Sequence, residues 1–439
     1  MDCILAIDVG TQSLRACIID PQLSVLARQQ IPYAPQVRSR DRVEIDAEIL
    51  WDALVQACRK IKLRNRVKAV TFSTLCPSLL PMDANGDPLH PIILHLDRRS
   101  HHQAQWALRR VGEEDFLNIA GNLPIPGGIS VTSLLWFRDH EPEIYFQKDI
   151  CFGHAVTFFL KRLTGRFVID PSNASFTGLF DTVGYGDWDN RLLQPLEIEK
   201  QKLPEVILST SIAGELIEPT RRVLGLSKHI PVVIGANDTT CAAVGADVTE
   251  AGDIMNTSGT VEILVLCLDK PLVSKNHLLR THAYQGRWLA MRTVGAGGAS
   301  LEWFRTNFCK EMNRETFYEE YLKQVLSQSS LPDARFHPFL AGDRHRIRRK
   351  SGAFTRLSLN TTREDILLAL VHGIISFQTE SLSEWQASAN LSSDIYHVGG
   401  GASDAYTRYK QSILKEYRFV QLGETTLSGA AKLAMEALK

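Results

Sequence analysis

The sequence has no surplus of charge. Its 439 residues carry 49 Lys and Arg against 49 Asp and Glu, a formal balance of zero. Bulk binding to nucleic acid or to an anionic membrane needs a basic excess or a basic face, so neither partner is expected. There is no C-x-x-C pair either. The eight cysteines, Cys3, Cys17, Cys58, Cys76, Cys151, Cys241, Cys267 and Cys309, stand apart. Neither a zinc site nor a disulfide framework is suggested. Several lie in apolar stretches, where a free thiol acts as a small hydrophobe, and a reducing cytoplasm is the expected compartment. Residues 1–6 carry Asp2 and lack a basic stretch, which does not read as a signal peptide. No apolar run approaches the ~20 residues that span a bilayer. No Gly-Lys dipeptide occurs, which excludes a Walker A loop. No short-period repeat is visible, which argues against a solenoid.

What is present is an ordinary globular composition, 44% hydrophobic and 22% charged, and not that of a disordered chain. At ~150 residues per domain the length predicts two or three domains. The chain opens as a meander, with strands over 4–9, 14–19 and 25–31 and a tight loop at Gly10-Thr11-Gln12. A helix follows from Ala47, capped by Asp46, then a strand over 67–73 and an Asn85-Gly86 turn. The middle, 101–230, reads as mostly helical, with an apolar-periodic helix within 144–163 that ends at Thr164-Gly165. A short strand covers 231–235. A second meander covers 253–258, 261–268 and 289–294. Helices near 301–308 and 363–381 and a strand at 395–398 complete the pattern. The two halves echo each other: each opens with a strand, a Gly-Thr turn (Gly10-Thr11, Gly259-Thr260) and a returning strand. That fits two similar domains facing a shared cleft, a favoured place for ligands.

Three segments could carry chemistry. In Asp8-Val9-Gly10-Thr11-Gln12-Ser13, a glycine turn lets backbone N–H groups approach a phosphate. Thr11 adds a donor, and Asp8 at the strand end can hold a divalent ion; a plain hairpin is the competing reading. In Gly235-Ala236-Asn237-Asp238, a strand gives way to a small-residue helix over 239–244. Asp238 can be the N-cap of that helix, an acceptor of a substrate hydroxyl's proton, or both. In Gly399-Gly400-Gly401-Ala402, a side-chain-free segment before a helix suits a nucleotide, and a flexible loop is the commoner explanation. The thirteen histidines show no ligand spacing. The basic run over 344–350 reads first as a solvated face.

Taken in order, these segments resemble the FGGY carbohydrate kinases, the family of xylulokinase, gluconokinase and glycerol kinase. The motifs are Asp8-x-Gly10-Thr11-x-Ser13, Asp97-x-Arg99, Gly235-x-x-Asp238, Ser258-Gly259-Thr260, Gly298 ahead of Leu301-Glu302-Trp303-Phe304, Phe339-Leu340-x-Gly342-x-Arg344 and Gly399-Gly400-Gly401-Ala402. The resemblance runs over essentially the whole chain. It implies an α/β fold of two actin-like (ribonuclease H-like) domains with an interdomain cleft that closes over ATP and a sugar. The expected division is a sugar-binding domain over 1–243 and a nucleotide-binding domain over 244–439, with a hinge near 240–250. It implies Asp238 as general base and Asp8 beside the phosphates and Mg2+. Gly10, Thr11, Gln12, Ser13, Gly259, Thr260 and Gly298 would lie at the phosphates, Gly400, Gly401 and Ala402 at the adenosine, and Leu75, Cys76, Asp97 and Asp238 at the substrate. The expected partner is a ketose such as a pentulose, or a polyol, and the chain could form a homodimer.

This chain departs from its resemblance in the substrate loop. Xylulokinases read Ser-Gly-Gln-Met-His-Gly where this sequence has Ser73-Thr74-Leu75-Cys76-Pro77-Ser78. The Trp usual ahead of Asp97 is His95, and a usual Lys-Asp is His154-Ala155. The altered loop motivates an alternative, a catalytically inactive sugar or nucleotide sensor. The retained Asp8, Asp238 and both Gly-Thr turns weigh against it, because a sensor needs no base. A third reading, an actin- or chaperone-like ATPase of a protein assembly, has no use for a hydroxyl-activating Asp.

Overall fold

A computed structural model describes residues 3–39, 41–327, 333–347, 350–399 and 404–439. Two six-stranded sheets dominate it. The first takes β1 (Cys3–Val9), β2 (Ser13–Ile19), β3 (Val25–Pro32), β4 (Val67–Thr74), β5 (Ile212–Glu215) and β6 (Pro231–Asn237), in the order β5-β6-β4-β1-β2-β3. β1 reads as an apolar run because it is central and all seven of its residues are buried. β3, at the edge, is half-exposed along its length.

The second sheet takes β7 (Ile254–Ser258), β8 (Glu262–Leu268), β9 (Leu278–Thr281), β10 (Trp288–Val294), β11 (Asp394–Val398) and β12 (Arg418–Gln421), in the order β9-β10-β8-β7-β11-β12. In both sheets three antiparallel strands are followed by two strands parallel to the first, β4 beside β1 and β6 beside β4 in one, β11 beside β7 and β12 beside β11 in the other. The echo between the halves is therefore one topology used twice. β5, β9 and β12 are strands the sequence pattern did not announce, and of these β9 lies within the second meander. It is fully buried, and Arg280 interrupts its apolar pattern.

A third sheet of five short strands covers one flank, in the order Gln36–Ser39, Arg42–Ile45, Ile92–Leu94, Ser78–Met82, Cys151–Gly153. That last strand lies just ahead of the expected helix within 144–163, which is present. The chain forms a short helix at Pro142–Tyr145, turns at Asp149 (φ 57°), pairs with Leu80–Met82, and only then enters the helix Ala155–Thr164. Gly165 ends it in the left-handed region.

The helices that matter for the site are α1 (Ala47–Lys60), α2 (Asp238–Gly245), α3 (Gly298–Phe308), α4 (Arg363–Gln386), α5 (Asp404–Ile413) and α6 (Thr426–Ala437). Asp46 caps α1 as expected, accepting from the Glu48 N–H. By length and average composition alone α4 could cross a bilayer, but it holds no unbroken apolar run of that length, and 67% of its most apolar stretch is buried inside the protein. Its Leu367, Leu370, Val371, Ile374 and Ile375 belong to the core behind the second sheet.

α6 returns to the first sheet, where Leu427, Ala430, Leu433 and Ala434 pack with Ile4, Ala6, Val233 and Val244. It crosses α2 closely: a Cβ on Gly429 would stand 1.8 Å from the Cys241 carbonyl oxygen, and one on Gly245 1.8 Å from that of Thr425.

Candidate functional site

The first Gly-Thr turn is a constrained hairpin. The Gly10 N–H donates to the Ser13 carbonyl at 3.0 Å, and the Tyr33 hydroxyl donates to the Gly10 carbonyl at 2.7 Å. Thr11 and Ser13 are half-buried and Gln12 is exposed. Asp8 lies just before the turn and is 4% exposed. Its Oδ1 accepts from the Ser73 hydroxyl at 2.7 Å, and its Oδ2 from Arg15 Nε at 3.0 Å and Nη2 at 2.6 Å. Strand register explains both contacts, because Asp8 pairs with Arg15 across β2 and with Ser73 across β4. Arg15 Nη1 pairs with Glu424, just ahead of α6. Sequence reasoning missed all three partners. Arg15 was findable, since a hairpin turning at 10–13 sets residue 15 opposite residue 8. Glu424, from the far end of the chain, left no local signal.

Asp238 is delivered by β6. Gly235 has φ +76°, and a Cβ there would stand 1.9 Å from the Phe72 carbonyl oxygen, so the strand can lie this close only with glycine. The cap of α2 is Asn237, one residue earlier than Asp238: Asn237 Oδ1 accepts from the Thr240 N–H at 3.0 Å. The Asn237 N–H in turn donates to Ser172 Oγ at 3.0 Å, and the Ser172 hydroxyl donates to the buried Asp170. Because Asn237 satisfies the helix end, the Asp238 carboxylate is released from capping. Among the described residues only Thr239 donates to it, through its N–H at 2.7 Å and its hydroxyl at 3.3 Å, both to Oδ1.

Asp238 sits deep in the cleft and is only partly accessible. Burial, reinforced by repulsion from Asp8, pushes its carboxyl up to about 6, against the pull of the Thr239 hydrogen bonds and Arg15. Such a group is ionised at neutral pH yet basic enough to take a proton.

The substrate loop follows β4. The Leu75 N–H donates to the Val9 carbonyl at 2.8 Å, and its side chain is buried. Cys76 Sγ lies 3.5 Å from His154 Nδ1, and His154 Nε2 lies 2.9 Å from Ser130 Oγ. Burial, followed by the charge of Asp238, pushes the thiol well up, and burial pushes the imidazole down to about 3. Both groups are therefore neutral, and the thiol is unreactive.

Asp97 departs from the expected substrate role. It is 2% exposed, and its carboxylate is consumed by Arg99 Nη2 at 2.7 Å and the Val43 N–H at 2.8 Å. It ties the flanking sheet together instead. A residue the sequence reading treated as part of a solvated run lies near Asp238 instead. Arg344 faces Asp238 and Arg98; burial and the Arg98 charge push it down to about 10, while Asp238 pulls it back up. A cavity of about 460 Å³ lies between Leu96, Arg98 and Ile125 of the first half and Leu340, Gly342 and Arg344 of the second.

The second Gly-Thr turn closes β7 onto β8. The Gly298 N–H donates to the Gly259 carbonyl at 2.8 Å and the Ala299 N–H to the Thr260 carbonyl at 3.2 Å. This seats the N-terminus of α3 on the turn. A Cβ on Gly298 would stand 2.6 Å from the Gly259 oxygen. Thr260 is exposed. Beneath lies a fully buried pair, Lys410 with Glu262. Lys410 Nζ also donates to Asn256 Oδ1 at 2.6 Å and Ser258 Oγ at 3.1 Å. Gly400, Gly401 and Ala402 lie outside the described residues. Gly399 leads into them at φ +104°, its Cβ direction 2.4 Å from the Ser258 carbonyl oxygen.

Asp8 and Asp238 thus lie close enough to repel one another, and Gly259, Thr260 and Gly298 form the corresponding turn of the second half. Known proteins resemble this chain in sequence and fold. Residues 3–245 match the N-terminal domain of the FGGY family of carbohydrate kinases. Xylulose kinase of Staphylococcus xylosus is 26% identical over 91% of this chain and 83% of its own length. Gluconokinase of Bacillus subtilis is 25% identical over 99% and 87%. The crystal structure of ligand-bound xylulose kinase from Lactobacillus acidophilus superposes with a TM-score of 0.90 at 21% identity, over 100% of this chain and 90% of that one. The fold is thus the expected pair of actin-like domains, and the chain belongs to the FGGY family of carbohydrate kinases, phosphotransferases whose acceptor is an alcohol group.

Proposed function

We propose that this kinase transfers the γ-phosphoryl group of ATP to a hydroxyl of a small sugar or polyol, with Asp238 as general base. The observation that carries the reading is the state of the Asp238 carboxylate. It is raised to about 6 by burial and by Asp8, and its Oδ2 receives no hydrogen bond from a described residue. An acceptor hydroxyl donating to Oδ2 loses its proton there as its oxygen bonds to phosphorus. Phosphoryl transfer asks for positioning and charge neutralisation more than covalent chemistry. A positioned base contributes ~10²–10⁴-fold.

The phosphates fit between the two turns, with Gly10, Thr11, Gln12 and Ser13 on one side and Gly259, Thr260 and Gly298 on the other. Arg15 is in reach of the first turn as a counter-charge. The acceptor fits beside Cys76 and Asp238. Functionally, residues 1–243 carry the acceptor side and 244–439 the nucleotide side, with α6 anchored on the first sheet. Asp8 suits Mg2+, a hard cation that takes one or two carboxylates and completes its shell with phosphate oxygens and water. Its carboxylate, now held by Arg15 and Ser73, is the hard-oxygen donor at the strand end. When bound, the ion supplies charge neutralisation on the phosphates. Domain closure excludes water and limits wasteful hydrolysis.

The test is ADP release measured across a panel of ketoses, polyols and aldonates. Stimulation by one class supports the reading. A folded protein that binds ADP and is stimulated by none sinks it.

A further inference from the structure

A short helical turn, Pro171–Ala174, touches both the strand that delivers Asp238 and the loop that carries Cys76. Asp170, Ser172 and Asn173 are each fully buried, so none of them meets a substrate directly. β6 is held along its edge as far as Gly235, whose N–H donates to the Ser209 carbonyl at 3.1 Å. Two residues on, the Asn237 N–H goes to a side chain, Ser172 Oγ, at 3.0 Å.

A serine oxygen accepts only on the side its own proton leaves free. Asp170 settles that orientation: the Ser172 hydroxyl donates to its Oδ1, which leaves the lone pairs of Ser172 for Asn237. The rest of the Asp170 carboxylate is spent inside the turn, on the Asn173 N–H at 3.1 Å and on Asn173 Nδ2 at 2.6 Å. Among the described residues no cation pairs with it. A buried acid without a counter-ion is costly, and a turn that only reversed the chain would not need one.

Asn237 is immobilised at three points. Ser172 takes its N–H, the Thr240 N–H donates to its Oδ1 at 3.0 Å, and its Nδ2 donates to Thr240 Oγ1 at 3.0 Å. Asp238 is the next residue, and its carboxylate is held at Oδ1 alone. The place of its Oδ2 is therefore set by Asn237 more than by any contact of its own. The same turn also fixes the substrate loop. Thr74 Oγ1 donates to Asn173 Oδ1 at 3.4 Å, and Cys76 Sγ lies 4.0 Å from the Asn173 carbonyl oxygen. One short segment thus spans the base and the loop beside the acceptor.

We propose that Ser172, oriented by Asp170, is a positioning residue for phosphoryl transfer, setting where Asp238 Oδ2 meets the acceptor hydroxyl. The assignment rests on the reading of Asp238 as general base. A misplacement of ~1 Å between reacting groups costs ~10²-fold in rate.

The experiment is a double-mutant cycle read by ADP release, using the acceptor that best stimulates the wild type. Ser172→Ala removes the acceptor of the Asn237 N–H and should lower kcat by about 10- to 100-fold, with KM for ATP and ADP affinity unchanged. In the Asp238→Asn background the same substitution should cost less than about twofold, because no base is left to misplace. A merely structural serine would lower the folded fraction equally in both backgrounds. Ser172→Cys is close in size and a weak acceptor; it should reproduce the alanine effect, and it decides the matter where the alanine variant does not fold. Wild-type kcat in both Ser172 variants, equal losses in the two backgrounds, or loss of ADP binding in both variants overturns the assignment. Unimpaired transfer in Asp238→Asn alone removes the base reading and this assignment with it. Impaired transfer there, with indifferent Ser172 variants, removes only the positioning role.

Discussion

Replacing Asp238 by Asn separates the chemistry of this carboxylate from its effect on stability, and the two should move in opposite directions. Its carboxyl is raised in the folded protein from the ordinary 3.8 to about 6, chiefly by burial and then by Asp8. A raised acid favours the folded state only while it is protonated. Its contribution is fully present below about pH 4, the unfolded value, and is lost as pH rises through about 6. Each tenfold change in proton affinity is worth about 1.4 kcal/mol, so ionisation at pH 8 destabilises the wild type by at most about 3 kcal/mol. Roughly half of that already applies at pH 5, where the unfolded Asp is ionised and the folded one is not. Asn cannot ionise, and its amide oxygen can keep the Thr239 N–H bond.

Asp238→Asn should therefore be more stable than wild type at pH 8 by up to about 3 kcal/mol. For a unit of this size that is roughly 5–10 °C in Tm. The advantage should shrink by about half at pH 5. Phosphoryl transfer should fall ~10²–10⁴-fold, with ADP affinity kept. Thermal unfolding at the two pH values, beside an ADP-release assay, checks both halves. A stability change that is independent of pH would refute the assigned burial of the charge. Unimpaired transfer would remove Asp238 from the base role.

Other consequences follow from the same geometry. In wild type, kcat/KM for the acceptor should rise with pH through about 6 as Asp238 ionises, and level off above about 7; a profile flat from pH 5 to 8 would contradict this. Lys410→Met strands Glu262 in the core, since the pair is 0% and 2% exposed, and should cost about 3–5 kcal/mol in denaturant unfolding. Adding Glu262→Gln should recover most of that loss. Gly429→Ala places a methyl group 1.8 Å from the Cys241 oxygen. Separating α6 from α2 to admit it should cost about 1–3 kcal/mol, seen as a lowered Tm.

What was legible in the sequence was local or periodic. Both meanders, the cap at Asp46 and the two Gly-Thr turns were readable because alternation and glycine placement act over a few residues. The helix within 144–163 was legible down to its end at Thr164-Gly165, but the strand Cys151–Gly153 ahead of it was not, because that strand is defined by a partner some 70 residues away and no periodicity carries that information. Whether Asp238 caps its helix could not be read in advance: Asn and Asp are equally good caps, and only the backbone decides which of two neighbours takes the position. Asp97 misled for a related reason. A carboxylate two residues from an arginine fits a substrate clamp as well as a buried strut, and Val43 and Glu44, which decide the matter, lie more than 50 residues earlier.

The repeated topology also makes the differences between the two turns informative. Each turn is braced from beneath by an ion pair, and the braces differ in burial. Glu262 and Lys410 are sealed off and surrounded by Asn256, Ser258, Gln378 and Tyr406. Moving either charge would expose the other to an apolar core, so this brace behaves as a fixed platform under Ser258-Gly259-Thr260. Asp8 and Arg15 are not sealed. The Arg15 side chain is 25% exposed and divides itself between Asp8 and Glu424. Its guanidinium can turn toward an arriving anion while Glu424 keeps it from leaving, and Asp8 then has an oxygen to give. On the proposed function, one strand-turn-strand unit would thus serve as an anchor in one half and as an adjustable charge centre in the other. The difference comes from where its counter-ions are drawn: Lys410 from a helix packed inside its own sheet's core, and Glu424 from the open approach to the last helix.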